Sequence, residues 1–526
     1  MRAVAPRVLH RGATCALTIV GVLTLCATAD AGGKPDAPPT ELLVSVAIGP
    51  VTTLRNLQAY AEAIKPGAGA ALTDQVVRRG VAEAVGAKSL DGLDPASWMY
   101  LLVASTSGPP AVALLGKVAD ARALEAAAGA DRVATRGSWA VIGDRPVLDH
   151  IGAYALSTIA AQPAPKAPGA TVYLPQVLAH YKPQIEAFRA QMAATSAQLG
   201  PGPMGKLMVS YVDGLTSMAG DTERLTVTLD ATPELAALDL ALLPRPGSRL
   251  AAFVALQRPS DFGLFARLPA TTPTALFGGH MELGPYHDGL LAAMAALYIP
   301  EASQDLLAAM EVIRKVMTGE IALAMQMGRT TGLAFTQIYA VTSAATADKG
   351  LARILALFKA ARTLQMANIS TTIQANPGTA THEGVVLRSY DTTSDFSKIP
   401  ADQRKAMAAF MPDGVQHVQM GTFDGLAMIV AAPDSLAEAG RSIDAARGKA
   451  AHFVASPDVD RLLAAVRARK DSIAMMLDLG GVLATITGGP ATSQPAMISF
   501  GAADHSAHLR IAVPAATVRA LSAVKP

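Results

Sequence analysis

A strand, a helix and a hairpin in that order, met twice, constrain this chain more than any other feature. The first copy begins with the apolar run 111–118, continues through the alanine-rich stretch 119–128, and closes with two short apolar runs on either side of Gly137. Asp144-Arg145-Pro146 then leads into a helix over 147–160, with proline where a first helical turn tolerates it. The same ending returns at 415–439 as a strand to Phe423, an Asp424-Gly425 turn, a second strand over 426–430, and Pro433-Asp434-Ser435 before a helix. Asp-Gly is the dipeptide that a two-residue hairpin favours, because both central residues need positive φ. Hairpins make antiparallel neighbours, so a sheet dominated by them is largely antiparallel.

Other segments echo each other along the chain. Pro39 to Pro50 is matched by Pro273 to Pro285, and Ala140-Val141-Ile142 by Ala427-Met428-Ile429. Val172 to Val177 is matched by Val454 to Val459 as V-x-x-P-x-V, and Leu238 to Pro244 by Leu509 to Pro514. Four matches in one order point to an internal duplication. The expected fold is therefore α+β (or α/β): two related halves, each a largely antiparallel sheet packed with helices. The halves are expected at 41–260 and 275–526, joined by a linker at 261–274 that contains Leu268-Pro269-Ala270-Thr271-Thr272-Pro273. The second is the longer, chiefly between Thr363 and Met411.

The N-terminus gives a location. Arg2, Arg7 and Arg11 precede an uncharged run from Gly12 to Ala29, and small residues stand at Ala27, Ala29 and Ala31. Residues 1–31 thus read as a secretory signal peptide, with 32–40 an extended tether. Both cysteines, Cys15 and Cys26, fall inside the signal. Cleavage after Ala29 or Ala31 leaves a mature chain with no disulfide, thiolate metal site or cysteine nucleophile. A surface lipoprotein anchored at Cys26 is the alternative, opposed by bulky Leu25 just before it. Lys plus Arg (44) nearly balance Asp plus Glu (42), and aromatic residues make up 5%, so no nucleic-acid partner is implied. After the signal, no apolar run is long enough for a transmembrane helix.

In its proline-led opening strand (Pro39 to Pro50), its strand–helix–hairpin unit (Ala111 to Leu148) and their recurrence at Pro273 to Pro285, the chain resembles uncharacterised bacterial exported proteins built on a duplicated domain of unknown function. The resemblance implies a periplasmic or cell-envelope location and a fold style, and no activity.

Ligating side chains concentrate at Gly278-Gly279-His280-Met281-Glu282-Leu283-Gly284-Pro285-Tyr286-His287-Asp288. On a strand His280 and Glu282 share one face, and His287 could fold back after the Gly284-Pro285 turn, giving a metal set of His280, Glu282 and His287 for zinc or a similar divalent ion. The plainer reading is a strand end at the solvent followed by a helix start. Asp504 to His508 reads as a hairpin turn, and His382-Glu383 has no partner visible in the sequence. No G-x-S-x-G elbow or phosphate-binding loop is present, and no cofactor is implied. Most of the twenty methionines lie from Met281 onward, which suits core filling or an adaptable apolar groove. The expectation is an exported binding or scaffolding module without enzymatic activity, for an apolar small molecule held between the halves or for an envelope protein. A metal-assisted hydrolase using the His280 cluster is the alternative.

Overall fold

The computed structural model describes residues 37–523, apart from 107, 199–202, 287–288, 290–302, 329–331, 367–368, 402–403, 405–406, 408–410, 412 and 488–493. The fold is α+β, with helices packed on antiparallel strands. Two compact units divide the chain. One takes the chain up to Ile185, Ala219–Arg245 and His508–Arg519; the other takes Glu186–Met218, Pro246–Ala507 and the end from Ala520.

In the first unit β1 (Leu42–Ile48) is followed by α1 (Val51–Ile64) and α2 (Asp74–Ala84), then β2 (Met99–Ala104) and β3 (Ala111–Lys117). Next come α3 (Ala121–Ala128), β4 (Val133–Arg136), β5 (Trp139–Ile142) and α4, a helical segment at 145–159 that includes π-helical turns. After β6 (Gly169–Tyr173), the hairpin β7 (Thr222–Ala231) and β8 (Leu235–Pro244) extends the sheet. Neighbours run β4-β5-β3-β2-β1-β6-β7-β8. The C-terminal strand Ser506–Pro514 joins β8, and Arg510 bonds Asp239 at 2.5 Å.

Alternation of side chains across a strand explains why these strands read as unbroken apolar runs. Val46, Ile48, Leu101, Leu114 and Ile142 point to one face and meet Val81 of α2, Val85 at its end and Leu124 of α3. Ala47, Tyr100, Leu102, Leu115 and Val141 point to the other and meet Leu148, Ile151 and Ile159 of α4. Each full burial of such a side chain is worth roughly 1.5–3 kcal/mol. Both faces are core.

Beyond Glu186–Met218, the second unit has α5 (Arg249–Leu256), capped by the Ser248 hydroxyl, and a short 3₁₀ turn at Gly263–Arg267 before β9 (Ala275–His280). It continues through α6 (Ser303–Arg314), β10 (Met317–Gly328), β11 (Gly332–Val341) and α7 (Ala344–Leu357). Strands β12 (Arg362–Met366), β13 (Ile369–Ala375), β14 (Ala380–His382) and β15 (Val385–Asp395) precede the hairpin β16 (Val415–Phe423) and β17 (Leu426–Ala431). Then follow α8 (Ser435–Ala446), α9 (Pro457–Ala468), β18 (Ile473–Leu477) and β19 (Ala496–Ala503). Neighbours run β19-β18-β9-β10-β11-β17-β16-β15, with β13 and β14 both along the far edge of β15 and β12 beyond β13. Leu351 and Leu355 of α7 pack on Val418, Met420 and Ala431. Met420, Met428, Met476 and Met497 are buried core residues.

Most elements lie where the sequence places them, including the Asp424-Gly425 turn with φ of 45° and 76°. One echo does not hold. Val172 and Tyr173 end β6 and a helix follows at once, whereas Val454, Ala455 and Ser456 form a loop that leads into α9 with no strand before it. Among the described residues no helix is long and apolar enough to cross a membrane.

Strand β9 is gripped from both sides. A Cβ on Gly279 (φ 129°) would stand 2.0 Å from the Ser472 carbonyl oxygen. Gly279→Ala is therefore expected to lower stability by about 2–4 kcal/mol, since it adds both overpacking and backbone strain. Gly80→Ala, in the interior of α2 with open space around it, is expected to raise stability by about 0.5–1 kcal/mol. Urea unfolding of the two variants checks the contrast.

Candidate functional site

His280 ends β9 and is 6% exposed. Its cross-strand neighbour is Glu320, whose Oε1 lies 3.5 Å from Nδ1, and Glu282 Oε1 lies 3.9 Å from Nε2. Gly319 (φ 91°) makes room for the ring, since a Cβ there would sit 2.6 Å from Cε1. The Ser260 hydroxyl donates to Glu320 Oε2 at 3.1 Å and accepts from the Phe262 amide, which fixes the carboxylate. Nε2 of His280 is buried and makes no hydrogen bond to the protein. His287 and Asp288 lie outside the described residues. Among the described residues no group of three His, Cys, Asp or Glu side chains has a geometry that could hold a metal. What the structure brings together here is an imidazole–carboxylate pair. Sequence spacing shows His280 and Glu282 but not Glu320, which arrives only through strand pairing.

The other ligating residues are tied elsewhere. His382 Nε2 is 2.9 Å from Asp444 Oδ1. Asp504 and His505 form the turn of the last hairpin, both at positive φ.

A second site has a different chemistry. The turn between β14 and β15 holds Glu383 and Gly384 at φ of 46° and 79°, and the turn between β16 and β17 holds Asp424 and Gly425 in the same left-handed region. Arg447, the C-cap of α8, ties both turns together. Its Nε donates to Asp424 Oδ2 at 2.7 Å, and one terminal nitrogen donates to the Glu383 carbonyl at 3.1 Å and to Glu383 Oε2 at 3.4 Å. Lys449 Nζ donates to the same Glu383 Oε2 at 2.5 Å. The guanidinium also covers the Phe423 ring at 5.5 Å. From the 3₁₀ turn before β9, Arg267 donates to the Ala446 carbonyl at 2.6 Å and so caps the end of α8.

These groups surround a cavity of about 680 Å³. Arg267, Arg447 and Lys449 supply positive charge, Leu264, Leu426 and Phe423 supply apolar surface, and Asp424 and Ala446 complete the lining. The hydrogen bond from Arg447 holds the Asp424 carboxyl below its ordinary value, and the bond from Lys449 does the same for Glu383. The bond to Asp424 pushes the Arg447 guanidinium up. Sequence reading sees the Asp424-Gly425 turn and singles out none of the basic residues after α8. Arg447-Gly448-Lys449 after a helix is the faint signal, and Glu383 reaches them across distant sequence.

Comparison with protein-family models, with curated proteins and with solved structures finds no match for the chain.

Arg447→Ala is expected to lower stability by about 1 kcal/mol, a charged hydrogen-bond contribution discounted for partial exposure. Arg447→Lys recovers less than half, because an ammonium cannot span both turns as the planar fork does. The carboxylates of Asp424 and Glu383 have depressed values, so their contribution is fully present above their ordinary 3.8 and 4.5 and is lost as pH falls through the lowered values. The stability difference between the parent protein and Arg447→Ala should hold constant from neutral pH to about 5 and shrink below about 4. Urea titrations across that range measure it.

Proposed function

We propose that this protein is an exported, envelope-located binding module built from two related α+β units, of which the second carries the ligand site. The strand orders support a duplication. The run β4-β5-β3-β2-β1-β6-β7 corresponds element by element to β16-β17-β11-β10-β9-β18-β19, with α3 matching α7 and α4 matching α8. Val141 and Met428, aligned by their flanking residues, are both fully buried at equivalent places.

The observation that carries the binding reading is where the cavity lies. Its wall uses the 3₁₀ turn at Gly263–Arg267, and its clamp uses Glu383 from the β14–β15 turn. Strands β12 to β15 have no counterpart in the first strand order. A duplicated unit that acquires extra segments and arranges cations around an open cavity with them fits ligand capture. Location in the envelope rests on the N-terminal sequence.

Native mass spectrometry of the protein purified from its own envelope tests the reading. The expected result is a reproducible small-molecule adduct that a cavity-filling Leu264→Trp variant loses. An adduct that persists in that variant places the ligand elsewhere and overturns the assignment.

Metal-assisted hydrolysis at His280 is a second reading, favoured by the unpartnered, buried Nε2 beside Glu282. It requires stoichiometric zinc that disappears in His280→Ala while the unfolding midpoint stays readable. Zinc-free parent protein sinks it.

A further inference from the structure

We infer that the cavity takes an organic anion, its acidic head held by Arg267, Arg447 and Lys449 and its body passing the half-buried Leu264. This rests on the binding reading above and adds the ligand's chemistry.

Charge decides the head group. The lining carries three cations and one carboxylate, Asp424; Glu383 behind the lining offsets a second cation. One positive charge is left over, which a single acidic group neutralises. The donors are also poised. Arg447 is fixed by Asp424 and Glu383 through Nε and one terminal nitrogen, and Arg267 by the Ala446 carbonyl through one nitrogen. A guanidinium has more N–H donors than these bonds use, and the planar fork matches a carboxylate or phosphate edge. Because the protein already holds both arginines in place, a ligand that meets them pays little to order them.

The rest of the lining decides the body. Of the apolar lining, Leu264 on the 3₁₀ turn is half-buried, whereas Leu426 is buried and Phe423 lies beneath the Arg447 guanidinium. A volume of about 680 Å³ exceeds what one inorganic anion fills. The buried late methionines contribute nothing to the lining, so the cavity is an anion site with little apolar surface.

The test uses four probes with one tail: octanoate, octyl phosphate, octanol and octylammonium, titrated into the purified protein by calorimetry. Octanoate and octyl phosphate are expected to bind at one site, with octanol and octylammonium roughly tenfold or more weaker. The ratio of the two anions tells a carboxylate head from a phosphate head. Arg267→Gln and Lys449→Gln each remove one tie, to the Ala446 carbonyl and to Glu383, but leave the Arg447 tie to both turns intact, so each is expected to fold with a midpoint only slightly below that of the parent protein. Each is expected to weaken the anions by about tenfold and leave octanol unchanged.

Charge-blind binding of all four probes, with an envelope adduct that Leu264→Trp removes, overturns the anion assignment and leaves the binding reading standing. Binding of no probe together with no adduct overturns both. Anion binding that neither Arg267→Gln nor Lys449→Gln weakens overturns the placement at these residues.

Discussion

Burial of an antiparallel sheet on both faces is the constraint on which each unit depends. Antiparallel sheets commonly leave one face to solvent and show it as alternation of apolar and polar residues. Here neighbouring residues such as Leu101 and Leu102, or Leu114 and Leu115, are buried in separate cores on opposite faces. Helices must therefore lie on both sides, and the chain supplies them from the connections around the hairpin: α2 and α3 for one face, α4 for the other. In the second unit α7 covers one face, and the buried Thr336 hydroxyl meets Ser442 of α8 at 3.3 Å from the alternate strand position. The helices are required by the strands.

With both faces covered, new chemistry can appear only at edges and turns. The second unit shows this. Strands β12 to β15 extend the sheet beyond β16, and the β14–β15 turn brings Glu383 beside the β16–β17 turn. Arg447 joins the two. A helix end is a sensible place for that cation, since the last carbonyls of α8 favour positive charge, and Arg267 uses the same preference when it bonds the Ala446 carbonyl. Helix electrostatics and turn geometry thus gather the basic residues around one cavity.

His280 illustrates a weaker outcome of the same principle. Two glycines on β9 let strands approach closely on both sides, and Gly319 opens space for the imidazole. The ring is packed between strands with Glu320 opposite, so its environment is set by register. A histidine and a glutamate two residues apart in sequence read alike whether they line a metal site or close a strand, because spacing fixes the face and not the distance to a third group.

Much of the architecture was legible in the chain itself. The strand Ala111–Lys117, the helix capped by Asp120, the Asp424-Gly425 turn and the Ser456 cap followed by Pro457 are local features, and local chemistry specifies them. The V-x-x-P-x-V echo misled because a short pattern of apolar residues around a proline fits both a strand end and a loop before a helix. The candidate binding residues were hidden for a physical reason as well. Arg267, Glu383, Asp424 and Arg447 are scattered along the chain, and each alone looks like a solvated charge. Sequence by itself determined the elements, their antiparallel pairing in hairpins and the two-sided apolar strands, since these follow from periodicity and turn chemistry over a few residues. Only tertiary structure decided which charges meet, because long-range strand pairing, and nothing in local spacing, carries Glu383 to Arg447.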